Sequence, residues 1–439
     1  MKKQKLSICM ISKDEEKFIG KSLESAKEIA DELIVVDTGS KDKTKNIAAE
    51  LGAKVFDLEW KDDFSLAHNY AISKATGDWI LVLDADEMIS TKDHKRLLKL
   101  LEEEKVDGYI LEQRTYSKNI EAHNWSICEG DYEEENGFAG YFSAKLTRLF
   151  RNNKDYHFTN RNHDIVEPSI KEKGGKIMDS SIPIHHYAKA KSNEFFSLKM
   201  EQYLYMGLSQ IKEDPSNPRP YYEVGLIYMA KDDLKSAEKN FKKVVELNES
   251  YKTANTQLGI IELKRKNLRK AAEIFQESIK RQPKQDLVYL YLGDLMMMIN
   301  KFQKAANIYK EAALLNPKNF VAHQKYCTAM VQYGKPDIAL AVLLKILNKN
   351  KSIIDVYNSI GEIYFAKKNY EKAKQVLQKG IKVADEQEND AKKMMLMINL
   401  ADAYKNLGKK DEAITLLNET LAMKPKDAEM IRERIKNLR

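Results

Sequence analysis

The sequence predicts two architectures in one chain, an alternating α/β domain followed by an all-α repeat solenoid. Two observations carry this. Over about the first 190 residues, short apolar runs alternate with stretches of helical periodicity. From about residue 217, small and bulky residues recur with a period of 34. The expected division is 1–190 for the α/β domain, 191–216 for a connecting helix and 217–439 for the repeats.

In the first part, "LSICMI" reads as a strand and "KFIGKSLESAKEIA" as a helix. "ELIVVD" is a second strand, and "TKNIAAELG" a helix closed by Gly52. "KVF" is a short third strand. "SLAHNYAISKATG" reads as a helix with Ser65 as its N-cap. "WILVL" is a fourth strand, and Ser90 or Thr91 starts the next helix. Strands that are near-continuous apolar runs imply a parallel sheet covered on both faces. Ligands of such sheets sit at the carboxyl ends of the strands.

Those ends are acidic. They read "SKDEE", "DTGSKDKT" and "DADE". The run from Trp79 to Leu83 leads straight into Asp84, Asp86 and Glu87, although charged groups are rarely buried unless paired or metal-bound. There is no GxGxxG and no GxxxxGK[ST], which removes support for a dinucleotide fold or a P-loop. The rim calls instead for a cation or hydrogen-bond donors.

In the second part, Gly225, Gly259, Gly293, Cys327 and Gly361 keep the 34-residue step. Ala237, Ala271, Ala305, Ala339 and Ala373 follow at a constant offset, and Phe241, Phe275, Tyr309, Leu343 and Leu377 after them. Ala401, Ala413 and Leu417 continue the spacing after an insertion near "DEQEND". Small residues let paired helices approach, and pairs must stack to bury their apolar faces. The pattern resembles the tetratricopeptide repeat, in six units over about 217–425. A helix at about 192–213 sits in frame as a half-repeat, and "DAEMIRERIKNLR" suits a capping helix. The resemblance implies a concave surface that binds peptides or proteins. Exposed solenoid ends would also allow homo-oligomers.

Bulk properties narrow the rest. A net charge of +7 from 73 basic and 66 acidic residues is too small an excess to argue for nucleic acid. It permits contact with an anionic membrane surface. Cys9, Cys128 and Cys327 are far apart and odd in number, so a reducing cytoplasm is expected. The apolar run after the basic start is too short for a signal peptide, and no stretch approaches the ~20 apolar residues of a span.

The order "MISKDEE … VVDTGSKDKT … DDFSLAHNYAISKATGDWILVLDADE" resembles the nucleotide-sugar-binding half of family 2 glycosyltransferases, over about 6–190. The resemblance implies a GT-A fold, an Asp-x-Asp metal motif and an inverting sugar transfer. It assigns Asp86 to a divalent ion, Mn²⁺ or Mg²⁺, and Asp84 to the ribose or the metal shell. His186 would complete the metal or diphosphate site. Asp37 would contact the nucleobase, which favours uracil and hence a UDP-sugar. Ser12, Lys13 and Glu15 would frame base and ribose, with Asn69, Arg148 and Arg151 also on the donor. Asp164 is the expected base, with His163 and Glu167 as rivals. Two positions depart from the family pattern: His68 stands where Arg is usual, and His163-Asp164 where His-Glu is common. The segment at about 123–142 reads as a mobile acceptor loop.

The expected function is a metal-dependent hexosyltransferase whose repeats recruit a peptide or protein acceptor. A cell-envelope saccharide or lipid-linked glycan is the alternative acceptor. A non-catalytic repeat scaffold is the alternative class.

Overall fold

The computed structural model describes residues 4–117, 125–135, 137–187, 193–249, 251–425 and 427–438. The chain divides into two compact units, 1–117 with 141–282, and 118–140 with 283–439. The α/β domain and the first two helix pairs therefore share one unit. The break in spatial contacts falls well beyond the point where the repeat pattern begins.

The first unit runs β1 (Leu6–Ser12), α1 (Ile19–Lys27), β2 (Glu32–Asp37), α2 (Thr44–Glu50), β3 (Lys54–Asp57), α3 (Phe64–Ile72), β4 (Trp79–Val82), β5 (Glu87–Met88), α4 (His94–Leu100) and β6 (Gly108–Ser117). β7 (Trp125–Ile127) belongs to the second unit. The first resumes with β8 (Gly140–Arg151), α5 (Glu167–Glu172), β9 (Ile177–His186), α6 (Asn193–Glu213), α7 (Pro218–Ala230), α8 (Leu234–Leu247), α9 (Lys252–Lys264) and α10 (Leu268–Arg281).

The sheet order is β3-β2-β1-β4-β8-β6-β9-β5. The first four strands are parallel, as their unbroken apolar runs require. The sheet is mixed beyond them, because β8 runs antiparallel to β4 and β5 antiparallel to β9. Side chains alternate between two cores. Leu6, Ile8, Met10, Trp79 and Leu81 pack with Leu23 of α1 and Leu97 of α4. Cys9, Ile34, Val36, Ile80 and Val82 pack with Ala71 of α3 and Phe150 of β8. Each fully buried Leu, Ile or Val contributes about 1.5–3 kcal/mol, which is what fixes the register. Ser12 pairs with Asp37 and Cys9 with Val82, so the acidic ends of β1, β2 and β4 share one rim.

α3 is capped by Asp63 rather than Ser65. The Asp63 carboxylate accepts from the Leu66 N–H at 3.0 Å, and Ser65 donates to the same oxygen at 2.7 Å. A carboxylate accepts more strongly than a hydroxyl, and Asp63 lies at the extended residue before the helix.

In the repeats of this unit, a Cβ on Gly259 would meet the Phe275 ring at 2.3 Å. The glycine is what admits the ring between the paired helices.

The second unit contains α11 (Asp286–Met298), α12 (Phe302–Leu315), α13 (Phe320–Gln332), α14 (Pro336–Lys349), α15 (Ile354–Ala366), α16 (Tyr370–Glu386), α17 (Asp390–Asn406), α18 (Lys410–Ala422) and α19 (Ala428–Lys436). The insertion near "DEQEND" is absorbed by lengthening α16 and α17 to 17 residues each. α19 covers the stack through Ile431 and Ile435.

The mobile-loop reading of 123–142 fails over its described part. The Ile127 N–H donates to the Lys318 carbonyl at 3.0 Å, and Trp125 meets Phe320 edge to face at 5.8 Å. Glu129 pairs with Lys318 at 3.0 Å and Lys349 at 2.9 Å. Residues 123, 124 and 136 lie outside the described residues. Glycine and acid content suggested a solvated loop, but the apolar Trp125 and Ile127 are buried against α13.

Candidate active site

A cleft of about 1090 Å³ opens at the shared rim of β1, β2 and β4. Ser12, Lys13, Glu15, Asp84, Asp86, Arg148, His163, Asp164, Glu167 and His186 all line it.

At its base lies a buried charge network. Arg148 follows β4 by antiparallel pairing, one residue from Leu149, which faces Leu81. Its guanidinium donates to Asp84 Oδ2 at 2.9 Å and lies 3.5 Å from Glu87 Oε1. Glu87 is fully buried and accepts from the Asp84 N–H at 2.8 Å and from the Gln113 side-chain amide. Burial opposes charge on Asp84, but the guanidinium holds its carboxyl below the usual carboxylate range. Burial pushes Glu87 up, with Arg148 only partly opposing it. Asp84 and Glu87, two of the three acids after the apolar strand, thus share one arginine.

Asp86 turns to a different partner. Its Oδ1 lies 3.6 Å from His186 Nε2. β5–β9 pairing sets His186 opposite Glu87, and β6–β9 pairing sets it beside Thr115. Thr115 Oγ1 sits 2.8 Å from His186 Nδ1, which orients Nε2 toward Asp86. Burial disfavours charge on His186, yet the Asp86 carboxylate raises its pKa overall. One carboxylate oxygen and one imidazole nitrogen at this separation suit neighbouring ligands of a divalent ion, whose other positions phosphate or water would fill. Among the described residues no cluster of three or more such ligands occurs. Adjacent His185 faces the other way, against Tyr116 Oη at 2.6 Å, and burial beside Arg114 lowers its pKa to about 3.

In the same cleft, His68 Nδ1 lies 2.7 Å from Asp164 Oδ2. The two positions that depart from the family pattern are therefore hydrogen-bonded to each other. His68 is 4% exposed, packs on Phe158 at 4.9 Å, and no described group bonds its Nε2. Burial works against its charge, but the Asp164 carboxylate prevails and raises the pKa. Glu167 is partly engaged, since its Oε1 accepts from the Thr147 N–H at 3.1 Å.

Three predicted site residues lie elsewhere. Asp37 is fully buried, and its carboxylate accepts from the Gly39 N–H at 3.0 Å, the Ser40 N–H at 2.8 Å and the Ser40 hydroxyl. It builds the turn at Gly39 (φ +104°), and Thr38 faces the cleft in its place. Asn69 is spent on the Phe158 backbone, with Nδ2–O at 2.9 Å and N–Oδ1 at 2.7 Å. Arg151 pairs with Trp79, at the far end of β4. There it stacks over the Trp79 ring at 4.6 Å and donates to the Val106 carbonyl at 2.9 Å.

Residues not expected at the site complete it. Trp60, Phe64, Tyr203, Arg219, Tyr222, Glu223 and Tyr251 line the same cleft. Arg219, Tyr222, Glu223 and Tyr251 belong to the repeat region, where a 34-residue period reports packing and carries no signal for a site in another domain.

A sheet with an acidic, arginine-compensated rim, followed by stacked helix pairs, defines an α/β domain joined to a helical repeat solenoid. Residues 7–163 match the family described as Glycosyl transferase family 2, and 218–251, 256–320 and 352–426 match Tetratricopeptide repeat families. The chain carries a family 2 glycosyltransferase domain fused to tetratricopeptide repeats.

A TPR repeat-containing protein of Synechococcus elongatus is 32% identical over 53% of this chain and 55% of its own length. An uncharacterized glycosyltransferase of Rickettsia bellii is 37% identical over 40% of this chain and 62% of its own. The prophage-derived glycosyltransferase SunS of Bacillus subtilis is 26% identical over 52% of each. The chain spans about half to three-fifths of the length of these relatives. No helix among the described residues is long and apolar enough to cross a membrane.

Proposed function

We propose that this protein is an inverting, metal-dependent transferase moving a hexose from a UDP-sugar to a peptide or protein side chain. The observation that carries it is that two pairs of groups line one cleft: Asp86 and His186, 3.6 Å apart, and Asp164 and His68, 2.7 Å apart. Asp86 and His186 would hold Mn²⁺ or Mg²⁺, with Asp84 and Arg148 behind them. The bound ion supplies positive charge to the departing diphosphate. Ser12, Lys13 and Glu15 frame the nucleoside, and Asp37 supports that wall through the turn it builds.

Asp164 is the base, with Oδ2 fixed by His68 and Oδ1 left to the acceptor. As the acceptor atom bonds to the anomeric carbon, its proton passes to Asp164. The anomeric C–O bond breaks, and its electron pair leaves with the diphosphate. The repeats favour a polypeptide acceptor, because such stacks present long surfaces to extended chains.

The test is calorimetric titration of the full chain with UDP and Mn²⁺. Binding is expected, with Asp86→Ala weakening it at least a hundredfold. Equal affinity of the two proteins would remove Asp86 from the metal site. Absence of UDP binding to wild type would end the UDP-sugar reading.

A further inference from the structure

The loop that carries Asp164 is held from outside the α/β domain. Thr159 and Ile165 exchange backbone hydrogen bonds at 2.9 and 3.0 Å, closing residues 160–164 into a tight loop. Asn160 and His163 sit in the left-handed region, at φ 73° and 49°. Non-glycine residues there are strained by about 1 kcal/mol each and persist only where surroundings impose them.

The imposing groups come largely from α6, α7 and the turn between them. Gln210 and Asn217 donate to Asn160 Oδ1 at 3.0 and 3.1 Å. Arg161 pairs with Glu213 at 2.6 Å. Arg219 donates from Nη2 to the His163 carbonyl at 2.6 Å. Its Nε is held in turn by Glu223 at 3.0 Å, one helical turn on. From the α/β side, the Phe64 N–H donates to the Arg161 carbonyl at 2.9 Å. Glu223 is 9% exposed and lines the cleft. Burial raises its pKa to about 7, Arg219 partly opposing and the Asp164 charge adding to the rise.

We propose that the first repeat helix is a working part of the transfer site: Arg219 is a positioning residue that fixes Asp164 through the His163 carbonyl, and Glu223 locks Arg219 while presenting a carboxyl to the acceptor. This rests on the reading of Asp164 as the base. It makes the first repeat inseparable from the chemistry, whatever the later repeats recruit. The acceptor it suits carries a hydrogen-bond donor beside the nucleophile, as a peptide backbone N–H does.

The test uses the full chain with ¹³C-labelled histidine, the His68 signal being identified by His68→Gln. His68 faces Asp164, Asp84 and Arg148, so its titration reports whether Asp164 stays in place. Wild type is expected to titrate above the ordinary histidine value. Arg219→Ala should move the midpoint down toward it, and Arg219→Lys, which still reaches the carbonyl, should restore most of the difference. Arg219→Gln serves if the alanine variant does not fold. An unchanged midpoint in a folded Arg219→Ala or Arg219→Gln protein overturns the proposal. UDP binding with Mg²⁺ should be unaffected by these variants, and its loss would also overturn it. Failure of wild type to bind UDP refutes the donor reading alone, since the histidine titration decides the clamp by itself.

Discussion

Two groups of cleft residues are built by different means. Asp84, Asp86, Arg148 and His186 stand on strands or on the short connection between β4 and β5, and backbone pairing sets the places of Arg148 and His186. Asp164 sits in a loop between β8 and α5, held by α3 through His68 and by α7 through the His163 carbonyl. A strand-built site resists change because moving one residue breaks a ladder. A loop-built site depends on single hydrogen bonds, and it can be re-aimed by exchanging one or two residues. The hydrogen-bonded pair His68 and Asp164 belongs to the loop-built group.

Five substitutions probe this contrast. Asp164→Asn should lower transfer by about 10²–10⁴-fold, the usual worth of a positioned base. A full-rate variant, compared by mass spectrometry of the product, would move the role to His163 or Glu167. Arg148→Met should cost roughly 3–5 kcal/mol of stability, because it strands Asp84 and Glu87 without their shared cation. Urea unfolding measures this. Adding Glu87→Gln should recover part of the loss, and no recovery would mean that the pair is not what couples them.

Glu223→Gln has an effect that depends on pH. With a folded pKa of about 7 against an ordinary 4.5, native Glu223 holds its proton where the unfolded chain releases it. Stability conferred by this group is present below about pH 4.5 and is lost as pH rises toward 7, by roughly 3 kcal/mol in total. The glutamine variant should match wild type near pH 4.5 and exceed it above pH 7. Parallel urea midpoints across that range would show Glu223 to be ordinary. The smallest effect expected is Asp63→Ala, about 1 kcal/mol from loss of the cap of α3, which carries His68. If thermal unfolding is unmoved, Ser65 holds the cap after all.

The shared rim of strand ends was largely legible in the sequence. An apolar run ending in acids identifies a strand end, and His186 after "IPI" identifies another. Which acid does what was not legible. Asp84 and Asp86 differ by two residues, and a chain alone cannot say that Arg148 claims one and His186 the other. Asn69 and Arg151 misled for the same reason: both are polar residues near a rim in sequence, and both are consumed by main-chain partners. The segment at about 123–142 misled through composition, since the buried side chains of Trp125 and Ile127 outweigh its acids.

Local pattern by itself determined the two-part architecture, the parallel strands, the 34-residue helical period and the acidic rim. Each follows from side-chain periodicity, which neighbours along the chain impose on one another. Tertiary structure alone decided the pairing of His68 with Asp164, the arginine that neutralises the strand end, and the seating of Arg219 and Glu223 in the cleft. Those contacts join residues 56 to 96 positions apart. At such separations no periodicity links the partners, and only the packing of sheet, loop and first repeat brings them within hydrogen-bond reach.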